Sequence, residues 1–279
     1  MIIKISIIGL GFVGSAMYKS FLKKNISKKS IYIYDKYKNG GIGNFEDCLK
    51  SKLIFLALPT KFSKINKEYD KSSIEEICEK LSKNNYKGLV VIKSTVEPKT
   101  CEFLANKFNL KIFHNPEFLS LKTAFKDFHN QSHIVIGITS KCSTNKLNLL
   151  TKFYEKYYKN ASISICKSVE SESMKLFCNC FYAIKIQFFT ELFLLCQKNG
   201  TDFNKVKSLM LKNKWINPMH TIIPGLDGNI SYGGFCFPKD TNALNEYMIK
   251  YNSFNNILNS CIYERDLMRQ DNINIEKVC

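Results

Sequence analysis

Short apolar runs bounded by turn residues recur along the first part of the chain, at IKISIIG, IYIYD, LIFLALP, LVVIKST, LKIFHNP and HIVIGI. Between most of them the apolar positions return every three or four residues, the spacing of an amphipathic helix. Strand and helix in alternation predict a parallel sheet with covering helices, over residues 1–166, because parallel strands need crossover connections. After ISIC (163–166) the strand pattern stops. Residues 167–279 then read as an all-helical second domain, with no repeat or low-complexity tract in either part.

The second part opens with one long helix from about Val169 to Asn199, with Ser168 and Ser171 near its start and Gly200 just past its end. Its middle is apolar around most of its circumference, which predicts burial on several sides. Its most apolar stretch, FYAIKIQFFTELFLLC, is interrupted by Lys185, Gln187 and Glu191 and reads as too polar and too short to span a bilayer. A shorter helix is expected after Asp202, then an Asn/Pro/Gly-rich loop over Asn213 to Tyr232, then helices after Asp240 and near Ser253.

Composition changes this picture little. The chain has 279 residues, 45% of them hydrophobic and 23% charged, an ordinary globular balance. Its formal charge of +17 comes almost wholly from lysine, since arginine occurs only at Arg265 and Arg269. Lysines spread along the whole chain read as a solvated basic surface rather than a nucleic-acid site, which draws on the arginine fork. The 11 cysteines form no C-x-x-C pair, and His114, His129, His133 and His220 show no metal-ligand spacing. With no secretory cleavage site after MIIKISIIGLGFVG, a reduced, cytoplasmic protein with mostly buried thiols and no metal is expected.

GLGFVG places Gly9, Gly11 and Gly14 in G-x-G-x-x-G spacing around Phe12 and Val13, between an apolar strand and the helix-compatible SAMYKSFLKK. In a dinucleotide fold the first glycine permits a tight turn, the second lets main chain approach a pyrophosphate, and the third lets helix and strand pack closely. Asp35 ends the next strand, IYIYD, where such folds place the acid that binds a ribose hydroxyl. Together these predict an α/β, Rossmann-type doubly wound sheet that binds NAD. A carboxylate there disfavours a 2′-phosphate, although Lys36 and Lys38 flank it.

One cysteine stands apart. In YGGFCFPKD, Cys236 follows Gly233 and Gly234 and precedes Pro238 and Asp240. If Asp240 begins a helix, its carboxylate can face the same cavity as the thiol. On the long helix, Lys175 and Asn179 are one turn apart and share a face. A lysine and an amide in an apolar stripe need partners, or the lysine snorkels to solvent. A thiolate or an oxyanion is the functional alternative, because a nearby ammonium stabilises both.

GLGFVG, ALPT (57–60), KSTV (93–96), NPEFL (115–119), KLFCN (175–179) and GGFCFPKD (233–240) resemble, in order and spacing, the UDP-glucose/GDP-mannose dehydrogenase family. The resemblance implies a four-electron oxidation of a nucleotide-sugar primary alcohol to a carboxylate, UDP-glucose first, with two NAD reduced. It makes Cys236 the nucleophile that captures the aldehyde and carries a thioester. Lys175 and Asn179 match oxyanion-stabilising positions, Asp240 a water-orienting carboxylate, and Thr95 and Glu117 further water-ordering and acid–base positions. Pro59, Thr60, Ser94 and Thr95 join Gly9, Gly11, Phe12, Val13, Gly14 and Asp35 as cofactor contacts. Glu117, Phe118, Leu119, Lys175, Asn179, Tyr232, Gly233 and Gly234 become substrate contacts. A homodimer through the long helix is also implied, so that the helical domain is a dimerisation domain.

The sequence departs from the family in three places. Leu121 stands where a second glutamate is expected, and no arginine lies between Asn213 and Tyr232. The third, UDP-binding domain is not in the sequence. These departures support a rival expectation: an NAD-binding partner, catalytically weak or inactive, or one part of a split dehydrogenase whose C-terminal domain is supplied in trans. The retained Cys236, Lys175, Asn179 and Asp240 favour the enzyme. Nucleic-acid binding and membrane insertion are not expected.

Overall fold

The apolar runs form β1 (Ile5–Ile8), β2 (Ile31–Tyr34) and β3 (Leu53–Leu56); two short strands, β4 (Phe62–Ser63) and β5 (Glu68–Tyr69), then pair with each other alone. The series resumes with β6 (Leu89–Ile92), β7 (Ile112–His114), β8 (His133–Ile138) and β9 (Ser162–Lys167). The computed structural model describes residues 3–269. Seven strands make one sheet in the order β2-β1-β3-β6-β7-β8-β9. The pairings are parallel except at β7–β8, which is antiparallel with Phe113 opposite Ile138. The sheet is thus mostly parallel, as expected, with one antiparallel pairing.

Strand residues divide by parity between two cores, as helices on both faces require. Ile5, Ile7, Leu53, Phe55, Leu89 and Val91 face one cluster, to which α1 (Phe12–Lys23) contributes Met17 and Phe21. On the same side α5 (Ala124–His129) adds Phe128 and α6 (Thr144–Tyr157) adds Phe153 and Tyr154. Ile8, Ile54, Leu56, Val90 and Ile92 face the other cluster. Cys48 of α2 (Phe45–Cys48), Ile74 and Ile77 of α3 (Ser72–Lys83) and Leu104 of α4 (Thr100–Phe108) complete it.

The chain divides into two compact units, one of Met1–Lys61 with Tyr69–Lys175, the other of Phe62–Glu68 with Leu176–Cys279. The division falls inside α7 (Ser168–Asn199), so the long helix begins in the sheet unit and ends in the helical one. The helical unit continues with α8 (Phe203–Lys212), α9 (Phe237–Lys250) and α10 (Asn256–Met268). Asp202 caps α8, its side chain accepting the N–H groups of Asn204 and Lys205. The short strand β4 clusters with this unit, while from Ser168 onward the described elements are helices alone.

Phe177, Phe181, Phe188 and Leu195 are exposed along one stripe of α7, whose other faces are largely buried or half-buried, and one expectation for the helix changes. At 32 residues it is also long and apolar enough to cross a bilayer by length and composition alone. Yet it buries Glu172, Lys175, Asn179 and Gln187. Buried charges and amides of that kind belong to a helix packed within a folded protein.

Candidate active site

The sheet order reverses at β1, which lies between β2 and β3, and ligands of doubly wound folds bind at such a switch point. Gly9 ends β1 with φ +91, and a Cβ there would stand 2.4 Å from the Ala57 carbonyl oxygen. A Cβ on Gly14 would lie 1.9 Å from the Gly9 carbonyl oxygen, so α1 can approach β1 only because the residue is glycine. At Gly11 nothing lies within 4 Å of the Cβ position. That opening, at the N-terminal end of α1 beside Phe12 and Val13, leaves room for an anion before the N–H groups of a helix start.

Asp35 is fixed entirely by main chain. Its Oδ2 accepts the Leu10 N–H at 2.7 Å, and its Oδ1 accepts those of Tyr37 and Lys38 at 3.1 and 2.9 Å. Partial burial pushes the carboxyl up, but the three N–H donors and the Lys38 charge outweigh it and hold the acid below its usual range. The Lys38 ammonium also donates to the Leu10 carbonyl and, at 3.3 Å, to Ser15 Oγ. Beyond β3, Leu58 exchanges two hydrogen bonds with Ser94 Oγ, and Thr60 Oγ1 donates to the Thr95 carbonyl at 2.7 Å. Pro59, Thr60, Ser94 and Thr95 therefore sit together at adjacent strand ends. An open Gly11, a close-packed Gly14 and an ionised Asp35 fit a dinucleotide.

The same sheet edge carries a second group of side chains. Lys93 is 2% exposed, and its Nζ donates to Asn115 Oδ1 at 2.8 Å and to the Pro116 carbonyl at 3.3 Å. Glu117 accepts the Leu119 N–H at 2.6 Å through Oε2, and its Oε1 stands 3.8 Å from Lys175 Nζ. Lys175 also lies over the Phe118 ring, 5.0 Å from its centre. Beneath them His114 pairs with Ser171 Oγ at 2.8 Å. Burial drives its pKa down to about 3, so it is a neutral ring. One turn before Lys175, Glu172 accepts the N–H groups of Lys99 and Cys101, both at 2.7 Å. Burial pushes its carboxyl up to about 7, against the pull of those donors.

In the helical unit, Cys236 is the only exposed cysteine among the described residues. It is the N-cap of α9, with Pro238 in the first turn. Gly234 has φ +78 and open space where a side chain would be, which keeps the approach to the thiol clear. Asp240 does not begin the helix; it lies within the first turn and is fully buried. Its Oδ2 accepts Asn179 Nδ2 at 2.6 Å, its Oδ1 pairs with the Lys239 ammonium, and its carbonyl accepts the Cys180 thiol at 3.3 Å. Tyr232 is a core residue, 1% exposed beside Ala183 and Cys261, with its hydroxyl donated to Thr241 Oγ1 at 3.4 Å. Its side chain is packed into the core, while Gly233 and Gly234 lie nearer the surface.

Sequence reasoning overlooked Lys93, His114, Glu172 and the Lys239 partner of Asp240. Lys93 carried a signal: a lysine directly after the apolar run LVVI, before the chain turns. Glu172 carried none, since a glutamate near the start of a helix is ordinary.

Residues 42–158 match the NAD binding domain of the UDP-glucose/GDP-mannose dehydrogenase family, and residues 169–263 match that family's central domain. The UDP-glucose 6-dehydrogenase of Campylobacter jejuni is 30% identical, in an alignment covering 93% of this chain and 70% of that protein. That of Rickettsia bellii is 31% identical, covering 93% of this chain and 65% of that one. The chain thus spans about two thirds of the length of these relatives. The fold matches a UDP-glucose dehydrogenase from the archaeon Pyrobaculum islandicum with a TM-score of 0.82 at 22% identity, over 96% of this chain and 68% of that one. The switch-point glycines, the exposed thiol at a helix start and the matched domains have one common explanation: the chain belongs to the UDP-glucose/GDP-mannose dehydrogenase family and carries its NAD-binding domain.

Proposed function

We propose that the protein oxidises a nucleotide sugar, UDP-glucose first, at its primary alcohol to the carboxylate through a covalent adduct on Cys236. The observation that carries this reading is the environment of the thiol. It is exposed at the start of α9, where helix N–H groups favour negative charge, while the other described thiols are buried or half-buried. NAD, when bound, accepts the hydrides of the two oxidations.

Cys236 would add to the intermediate aldehyde as thiolate, giving a thiohemiacetal and then a thioester that water opens to the acid. Lys175 and Asn179, one turn apart on α7, are the donors proposed to stabilise the oxyanions. Asp240 is proposed to hold Asn179 in place and to orient the attacking water, and Thr95 and Glu117 are proposed for further water-ordering and acid–base roles. Phe118, Leu119, Gly233 and Gly234 are proposed as substrate contacts. The similarity to UDP-glucose 6-dehydrogenases and the match to both family domains support this reading.

NADH absorbance tests it directly. With NAD and UDP-glucose the protein should produce NADH, and Cys236→Ala should lower the rate by about 1,000-fold or more while NAD still binds. If neither UDP-glucose, GDP-mannose nor a UDP-N-acetylhexosamine yields NADH, the reading fails.

The exposed face of α7 supports a second element, a homodimer. Phe177, Phe181, Phe188 and Leu195 lie at helical spacing along it and are each at least half exposed. Sedimentation of the wild type as a dimer and of Phe181→Glu as a monomer is expected; a monomeric wild type removes the proposal.

A further inference from the structure

The fully buried amine at the end of β6 has no part in the chemistry proposed above. An ammonium in such a place is costly unless it is held, and Lys93 is held by one short segment. Its Nζ reaches Asn115 Oδ1 and the Pro116 carbonyl, and lies over the Phe128 ring, 5.6 Å from its centre.

Asn115 is fixed in turn from three sides. Its N–H donates to the Ile92 carbonyl at 2.8 Å, its Nδ2 donates to the Val135 carbonyl at 2.7 Å, and its Oδ1 also accepts the Tyr154 hydroxyl. The next residues are Pro116 and Glu117. From this anchored stretch Glu117 turns back to its own Leu119 N–H and toward Lys175.

We propose that Lys93 is a positioning residue for Glu117: by pinning Asn115 Oδ1 and the Pro116 carbonyl, it fixes the main chain from which the Glu117 carboxylate meets Lys175. The role assigned to Glu117 rests on the function proposed above; the pinning itself does not.

Two acceptors serve the amine, so it can keep both bonds as a neutral group with two N–H donors. Burial pushes its pKa down to about 7, with Glu117 pulling it up and Lys175 pushing it further down. The other titratable groups against it are His114, neutral through burial, and Tyr154, whose hydroxyl burial pushes well up. Because the folded value lies below the unfolded one of 10.5, the unfolded chain binds more protons above about 7. Stability therefore rises as pH increases through about 7.

Lys93→Met and Lys93→Gln test this against wild type by hydrogen exchange, thermal unfolding and NADH production. In Lys93→Met, amides of residues 117–120 should exchange about 10-fold faster, with those of β1 and β3 unchanged. The kcat with UDP-glucose should fall about 10-fold with the KM for NAD unaltered. Lys93→Gln, which keeps N–H donors, should recover part of the protection. The gain in melting temperature between pH 7 and about 9 should vanish in both variants. Unchanged exchange at 117–120 in Lys93→Met, or faster exchange throughout the sheet unit, overturns the proposal. If the wild type makes no NADH with any nucleotide sugar, the proposed function fails, while exchange and melting still decide the role of Lys93.

Discussion

The two units hold their functional side chains by different means. In the sheet unit the partners are mostly main chain: Asp35 takes three N–H groups, Glu172 two, Glu117 one, and Ser94 both polar groups of Leu58. In the helical unit they are mostly other side chains. Asp240 is met by Asn179 and Lys239, Gln187 by Glu264 and Ser231, and Arg269 by Asp227. The cause lies in the backbone. Strand ends and helix starts leave N–H groups unpaired, so a carboxylate placed there finds donors already aligned. A helix interior spends its own N–H and carbonyl groups on itself, so a polar group beside it depends on a second side chain. Pairs of that kind are specific but fail together.

Mutation can break this contrast. The largest effect is expected at Asp240→Leu, which leaves the Asn179 amide and Lys239 ammonium without a buried carboxylate. It should destabilise the helical unit by about 3–5 kcal/mol in denaturant unfolding while the sheet unit keeps its affinity for NAD. The pH dependence at Glu172 comes next. Its folded pKa of about 7 exceeds the usual 4.5, so its contribution is fully present below about 4.5 and is lost as pH rises to about 7. The loss amounts to about 3 kcal/mol, and wild type minus Glu172→Gln should show that slope in unfolding curves taken from pH 5 to 8.

A smaller effect, about 2 kcal/mol, is expected from Gly14→Ala, whose new methyl group would meet the Gly9 carbonyl. Calorimetry should show NAD affinity falling together with stability, since both depend on how closely α1 approaches β1. The smallest is Asp202→Ala. Losing the cap of α8 should cost about 1 kcal/mol in the helical unit and leave NAD binding as it was. An equal effect of Asp202→Ala and Asp240→Leu would remove the distinction between a side chain that serves main chain and one that serves another side chain.

Much of the architecture was legible because its cause is local. The runs ISII, LIFL and LVVI are almost wholly apolar, as strands covered on both faces must be, and they became β1, β3 and β6, buried at every position. The antiparallel placing of β8 was not legible, because an apolar run carries no direction. Nor was the β4 and β5 pair, whose sequence KFSKINKEYD has no apolar run. The cofactor end was legible because Gly9 and Asp35 directly follow β1 and β2 and Gly14 falls in the first turn of α1, all local features. At the reactive end the exposure of Cys236 followed from its glycines, but the partner of Asp240, Asn179, lies 61 residues away and had no local signal. Tyr232, next to those glycines, turned inward.

By itself the sequence determined where strands and helices run, where a dinucleotide turn forms, and which cysteine is flanked by glycine. Periodicity and turn chemistry act over a few neighbours, so a linear reading captures them. Only the tertiary structure decided that Asn179 serves Asp240, that Glu172 caps α4, and that Lys93 is buried against Asn115 and Pro116. Each of those pairings joins residues far apart in the chain. Its energy comes from shared removal from water, a property no single segment possesses.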